Sequence, residues 1–279
     1  MDSIERINAA LNHTKPDRVP VDLGSSLVTG MHVSTVYRLR RALGLAGGPV
    51  KIIDPYQMLG EIGNDLADAL ELDAVGLMPP ATLFGYRLEG WKQWTMPDGT
   101  PTLVPGGFNT DFEPNGELLQ YPGGDKSAPP SGRMPKGGFY HDAIVRQQPI
   151  DDGKLNVEDN LEEFTFVSAD ELEYFRREAE RLRAETGRAV VASFSGLAFG
   201  DIALVPAMWL KHPRGIRDIE EWYVSTVSRR DYVYEVFERQ SEIAVANLKK
   251  LYGAVGDTVQ VVFLTGTDFG TQNGPFISP

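Results

Sequence analysis

Behind the apolar run Val259–Leu264 stands the stretch GTDFGTQNGPFISP, which sets a carboxylate, Asp268, between Gly266 and Gly270 and follows it with the amides of Gln272 and Asn273. Glycines beside an acid let backbone approach a ligand closely. A carboxylate so placed orients a substrate, accepts a proton or holds a metal-bound group; the plainer reading is a loop aspartate bonded to its own turn. Asp22 is the second candidate catalytic acid. It interrupts the apolar segment VPVDLG, where burial would demand a partner or a raised pKa, and a cap or an ion pair with Arg18 is the alternative. His32 opens the helix that follows and is a candidate binding residue, as is Ser195, which with Ser193 flanks Phe194 in SFSG. That tetrapeptide lacks the context of a nucleophile elbow and has no histidine or acid at an informative spacing, so it does not read as a serine hydrolase.

Metal and phosphate chemistry find no support in spacing. His13, His32, His141 and His212 are scattered, with no pair four apart and no H-E-x-x-H, and the chain has no cysteine, so no metal ligands are assigned. The paired glycines at 47/48, 123/124 and 137/138 match neither phosphate-binding pattern between a strand and a helix. Lysine and arginine number 27 against 39 acids, a formal charge of −12, which repels nucleic acid and anionic lipid. The first residues, MDSIERINAALNHTKPDR, mix charges without a signal-peptide core, and no stretch approaches the roughly 20 apolar residues of a membrane span, so a cytoplasmic protein without a membrane partner is expected.

The elements that must position these groups alternate. Ser3 is placed to cap a short helix; VPVDLG (Val19–Gly24) reads as a first strand; Val36, Leu39 and Leu43 stripe a helix closed by Gly44. DPYQ (Asp54–Gln57) reads as a helix start with Met58, Ile62, Leu66 and Leu70 as its buried stripe, and Ala74–Met78 as a second, continuously apolar strand. From Phe84 to Gln148 the rhythm breaks into a β-rich insertion, with PDGT and PNGE as hairpin turns; its later part, YPGGDKSAPPSGRMPKGG, is balanced between structure and a disordered linker. SADE (Ser168–Glu171) is a capping box, Ala189–Gly196 a third strand, GDIALVPAMWLK and IEEWYVSTVSRR helices, Asp231 the cap of a longer helix, and Val259–Gly266 a fourth strand. About four strand–helix units imply a parallel sheet, either small and open or half of a (β/α)8 barrel, with reactive groups at the carboxyl ends of the strands. An unprotected last strand favours the incomplete barrel over residues 1–279.

Four segments together, ERINAALNHTKPDRVPVDLG, DPYQMLGEIGNDLADALELDAVGL, GDKSAPPSGRMPKGGFYHD and TDFGTQNGPFISP, resemble the uroporphyrinogen decarboxylase superfamily, in its branch similar to corrinoid-dependent methyltransferases. The resemblance runs over essentially the whole chain. It implies a (β/α)8 barrel of which this is the N-terminal part, with Asp268, Gln272 and Asn273 on the loop after the fourth strand and Asp22 and His32 on the loop after the first. True decarboxylases carry an arginine-rich loop after the first strand and an aspartate ending the second; here these places read GSSLVTGMH and GLMPP. The methyltransferase branch therefore fits better. It implies methyl transfer between a corrinoid such as methylcobalamin and a small acceptor or donor, with zinc held by a His-x-Cys pair and a distant cysteine on later strands, outside this chain. A corrinoid protein and a second copy of the chain are the partners this implies. A tetrapyrrole decarboxylase with an altered clamp and a noncatalytic fragment that pairs through its open edge are the alternatives.

Overall fold

The computed structural model describes residues 1–45, 47–162, 164–197, 200–266, 270–271 and 273–275. Helix α1 (Ser3–Leu11) is capped one residue earlier than expected, by Asp2, whose carboxylate and the Glu5 side chain form the reciprocal box; Ser3 is thereby free to donate to Asp73 at 3.0 Å. Residues Val19–Leu23 do not form a ladder strand. Pro20 has no N–H, and the Val21 N–H goes to the Asp73 carboxylate at 2.9 Å while Val21 O accepts from Asp73 N at 2.8 Å, so one residue holds the segment in place of a row of pairs. Helix α2 (Val33–Ala42) follows.

Strand β1 (Val50–Asp54) comes where a helix start was expected at its end. Asp54 is buried, and its carboxylate accepts from Tyr56 N, Gln57 N and Gln57 Nε2 at 3.1–3.2 Å, the signature of a turn tied to its own backbone. Because β1 is committed to the sheet, the chain turns through Met58, at φ 56°, into β2 (Leu59–Gly60), and α3 is confined to Asn64–Ala69. Strand β3 (Ala74–Leu77) is followed by the hairpin β4 (Lys92–Thr95) and β5 (Pro101–Val104), turning at PDGT as expected. Strand β5 also pairs in parallel with β1, which gives a mixed sheet in the order β2-β1-β5-β4.

A second hairpin, β6 (Asp111–Phe112) and β7 (Leu118–Gln120), turns at PNGE, and β8 (Gly132–Met134) and β9 (Asp142–Ala143) complete an antiparallel sheet in chain order. The stretch that balanced between linker and structure thus supplies a strand, because Ser131 and its neighbours pair with the buried strand β7. Helix α4 (Ala169–Thr186) has the Ser168–Glu171 box and ends on Gly187 at φ 63°. Strand β10 (Ala189–Ser193) comes next, and the helix expected over Gly200–Lys211 shrinks to a 3-10 turn at Ile202–Leu204, since Pro206 lacks an N–H and Ala207 turns left-handed at φ 47°. Helices α5 (Ile219–Ser228) and α6 (Arg230–Val255) precede β11 (Val261–Phe263), and β12 (Gly270–Thr271) pairs with β13 (Gly274–Pro275).

The functional frame is the parallel sheet β3-β10-β11, whose neighbours follow chain order. Leu77, Val190, Ala192 and Phe194 face Phe175, Ala179 and Leu182 of α4 and Ala244 and Leu251 of α6 in one core. Among the described residues the sheets do not close into a barrel; the three-stranded parallel sheet, the mixed sheet, the antiparallel sheet β6-β7-β8-β9 and the β12–β13 hairpin leave the architecture mixed α/β. No helix of the described residues is long and apolar enough to cross a membrane.

Candidate functional site at the carboxyl ends of the parallel strands

Strand alternation gives the sheet a second face, opposite the helices. Val191 pairs with Gly76 and with Val261, and Ser193 with Phe263, so Gly76, Val191, Ser193, Val261 and Phe263 share it, with Thr265 two residues further on. Ser25 lies over this face: a Cβ on Gly76 would stand 2.6 Å from the Ser25 carbonyl oxygen. Glycine at 76 is what lets the loop after the first segment settle on the sheet. Ser25 is itself fastened by Asp22, which accepts from Ser25 Oγ at 2.7 Å and Ser25 N at 3.3 Å.

Two hydroxyls on this face have no partner among the described residues. Ser193 Oγ and Thr265 Oγ1 are buried and unbonded. An unsatisfied buried hydroxyl costs on the order of 1–3 kcal/mol. Both stand at the carboxyl ends of adjacent parallel strands, where α/β proteins place their ligands.

The residues singled out from sequence divide. Asp22 is exposed, so it does not need the buried partner expected of it, and it fastens Ser25 while Arg18 pairs with Asp73 at 2.7 Å instead. Ser195 is exposed in the turn after β10 and does not share the position of Ser193. His32 caps α2, its Nδ1 accepting from Ser34 N at 3.3 Å, and its ring stands edge-on to Phe139 at 5.6 Å. Burial pushes its imidazole pKa down. His32 is bridged to Leu59, on the side of the mixed sheet, and so belongs to a different neighbourhood from Ser193. Asn273 is exposed at the β12–β13 turn. Asp268 and Gln272 lie outside the described residues.

A second polar neighbourhood, not anticipated from sequence, surrounds Tyr56. Its carbonyl accepts from His141 N at 2.8 Å, so Tyr140 and Asp142 straddle it. Burial raises the Tyr56 pKa, and Asp142, Asp54, Tyr140 and Asp201 push the same way, which keeps the phenol a donor. His141 is fully buried; its Nδ1 lies 2.9 Å from Pro55 O, an acceptor only, which places the proton on Nδ1 and leaves Nε2 unbonded, while the ring stands edge-on to Phe84 at 5.7 Å between centroids. Tyrosine and histidine inside a Gly/Pro-rich segment gave no periodic signal by which to find them.

A cleft of about 410 Å³ opens along the other edge of β3, lined by Leu23, Ile62, Gly76, Met78 and Leu182. Its charged rim is spent internally, Arg181 on Glu178 and Glu185 and Arg188 on Asp68. Among the described residues no group of three or more histidines or acids is arranged to hold a metal ion, and the chain offers no thiolate, so the described residues do not fit the zinc that the resemblance implies. Fold and site define a mixed α/β protein that presents hydroxyls at the carboxyl ends of a parallel sheet. Comparison with models of protein families, with curated proteins and with solved structures gives no match.

Proposed function

We propose that the chain forms consecutive staves of a (β/α)8 barrel enzyme that moves a methyl group between a corrinoid and a small acceptor or donor. The observation that carries this reading is the parallel sheet β3-β10-β11, whose crossovers contain α4 between β3 and β10 and α5 and α6 between β10 and β11, with α4 and α6 packed on one face. Consecutive barrel staves have that arrangement, with the active end at their carboxyl termini. The segments that resemble the corrinoid-dependent branch supply the chemistry: a bound methylcorrinoid provides the methyl group and a thiol or similar nucleophile takes it.

The chain's own part is binding and orientation. Asp22 holds Ser25 against Gly76, and the hydroxyls of Ser193 and Thr265 stand on the face thus framed. No arginine occurs between Asp22 and His32, so the loop offers no clamp for a polycarboxylate tetrapyrrole, which favours the methyl-transfer reading over decarboxylation. The test is anaerobic incubation with methylcobalamin and a thiol, followed by absorbance, beside carbon dioxide release from uroporphyrinogen. Saturable loss of the methylcobalamin spectrum, reduced at least tenfold by Asp268→Ala with retained folding, is expected. Carbon dioxide release without demethylation would replace this reading with the decarboxylase.

A further inference from the structure

We infer that the outer edge of β3 takes up an extended, basic peptide segment of a partner protein as an added strand, seated in the cleft that α3 and α4 also line. The register decides which backbone groups are already spent. Ala189 N donates to Asp73 O at 3.0 Å, and Ala189 pairs with Ala74 and Val191 with Gly76. In a parallel ladder of that register Val75 and Leu77 turn their N–H and C=O toward β10, so those of Ala74 and Gly76 point the other way. On that side Val19–Leu23 is tied to Asp73 alone, and no backbone or side-chain bond among the described residues reaches Ala74 or Gly76. The adjoining segment cannot complete the row, because Pro20 has no N–H and Val21 N is committed to the Asp73 carboxylate at 2.9 Å. Backbone groups as shielded as those of Ala74, 4 % exposed, are almost always paired, and what pairs a row of them is another backbone.

Space and charge fit such a segment. The cleft of about 410 Å³ is lined along β3 by Ala74, Gly76 and Met78, so the unpaired edge is open to it. Strand β3 is four residues long, which limits the addition to a segment of about four or five. Side chains of an extended chain alternate, and those turned toward α4 meet the apolar Leu182 below a charged rim. At the rim Glu178 and Glu185 share the single Arg181 in exposed helix pairs, which hold weakly, and leave one carboxylate in excess. Arg188, the other arginine on the cleft, is answered by Asp68. With −12 over the whole chain, a basic segment is drawn in and an acidic one repelled. Strand addition goes beyond methyl transfer and does not rest on it.

The experiment uses the whole chain and a blocked pentapeptide, acetyl-Lys-Val-Lys-Val-Lys-amide, with its Glu-Val-Glu-Val-Glu counterpart as control. Amide hydrogen exchange is followed by NMR. In the free chain the Ala74 and Gly76 amides are expected to exchange at least tenfold faster than those of Val75 and Leu77, which β10 holds. The basic peptide is expected to bind saturably and to slow both at least tenfold, the acidic one not. A strand has two hydrogen-bonding edges and only one can lie on β3, so N-methylation of the two valines and, separately, of the three lysines is expected to weaken binding about tenfold in one form only, the equivalent of one hydrogen bond. Glu178→Gln combined with Glu185→Gln, at the rim, is expected to weaken the basic peptide about threefold and to lessen its salt dependence. Ala74 and Gly76 amides as slow as their neighbours in the free chain would mean that Val19–Leu23 already closes the edge, and would overturn the inference. So would failure of the basic peptide to bind, equal affinity for the two peptides, or equal loss in the two N-methylated forms, which would reduce the contact to charge alone.

Discussion

His141 shows how much a single buried residue decides. Burial brings its imidazole down to about 4 from the ordinary 6.5, with the Pro55 and Tyr56 backbone pulling weakly the other way. The folded protein therefore holds it neutral while the unfolded chain protonates it below 6.5. Stability from this group is complete above pH 6.5 and falls as the pH drops toward 4, by about 3 kcal/mol over the window. Asp54, raised by its own burial, acts with the opposite sign, so the comparison must be made between variants at each pH. In His141→Asn, whose amide can still donate to Pro55 O, the stability gap to the parent is expected to shrink by about 3 kcal/mol between pH 7 and pH 4, measured by urea unfolding. A gap that stays constant would mean that His141 is not held neutral. At this scale the sequence was legible in kind more than in position. The sequence reading of SFSG chose Ser195, which shares its alternation with Ser193 but falls past the end of β10 in an exposed turn, whereas Ser193 is still held by the strand; where the strand stops is not written in the tetrapeptide. Asp22 was legible as a cap but not in its target, because Ser25 and Gly76 meet only in the folded chain.

Elements were read well wherever a local rule decides them. PDGT and PNGE turn as Asp-Gly and Asn-Gly must, and Ser168–Glu171 caps α4. They were misread where a distant partner overrides the local preference: Asp54 has the credentials of a helix cap, but β5, about 50 residues on, recruits β1 into a sheet and leaves the carboxylate to close a turn. Gly76 is the element-scale counterpart. Its φ is ordinary, so only space forbids a side chain, and an alanine methyl would press on the Ser25 carbonyl at 2.6 Å. Gly76→Ala is expected to lose about 1–3 kcal/mol by urea unfolding as the Asp22–Ser26 loop is pushed off the sheet. Gly253→Ala supplies the opposite sign: it lies within α6 with nothing within 4 Å of a new Cβ, and it should gain about 0.5–1 kcal/mol. Equal effects at the two positions would show that helix and strand propensity, and not the contact with Ser25, govern Gly76.

For the whole molecule, composition set the class and topology had to be seen. Alternation of apolar strands and striped helices predicted a parallel sheet, and β3-β10-β11 is one; the first expected strand was lost because Pro20 and the Asp73 carboxylate leave Val21 a single backbone pair. Closure could not be read from sequence, since it depends on how many strands assemble and on the register between them. Net charge, by contrast, acts at a distance and is legible from a residue count. At −12 the molecule repels polyanions over about a Debye length, ~10 Å at 0.1 M salt, and the Asp22–His32 loop has no arginine to reverse that locally. Titrated with uroporphyrin at low ionic strength, the protein should give no saturable change in porphyrin fluorescence, whereas methylcobalamin, which carries no net charge, should bind with an affinity that salt leaves within about twofold. If uroporphyrin instead bound tightly at low salt and was released as salt rose, its carboxylates would be meeting a basic surface that neither the loop nor the hydroxyl face supplies, and the ligand site would have to be sought elsewhere on the molecule.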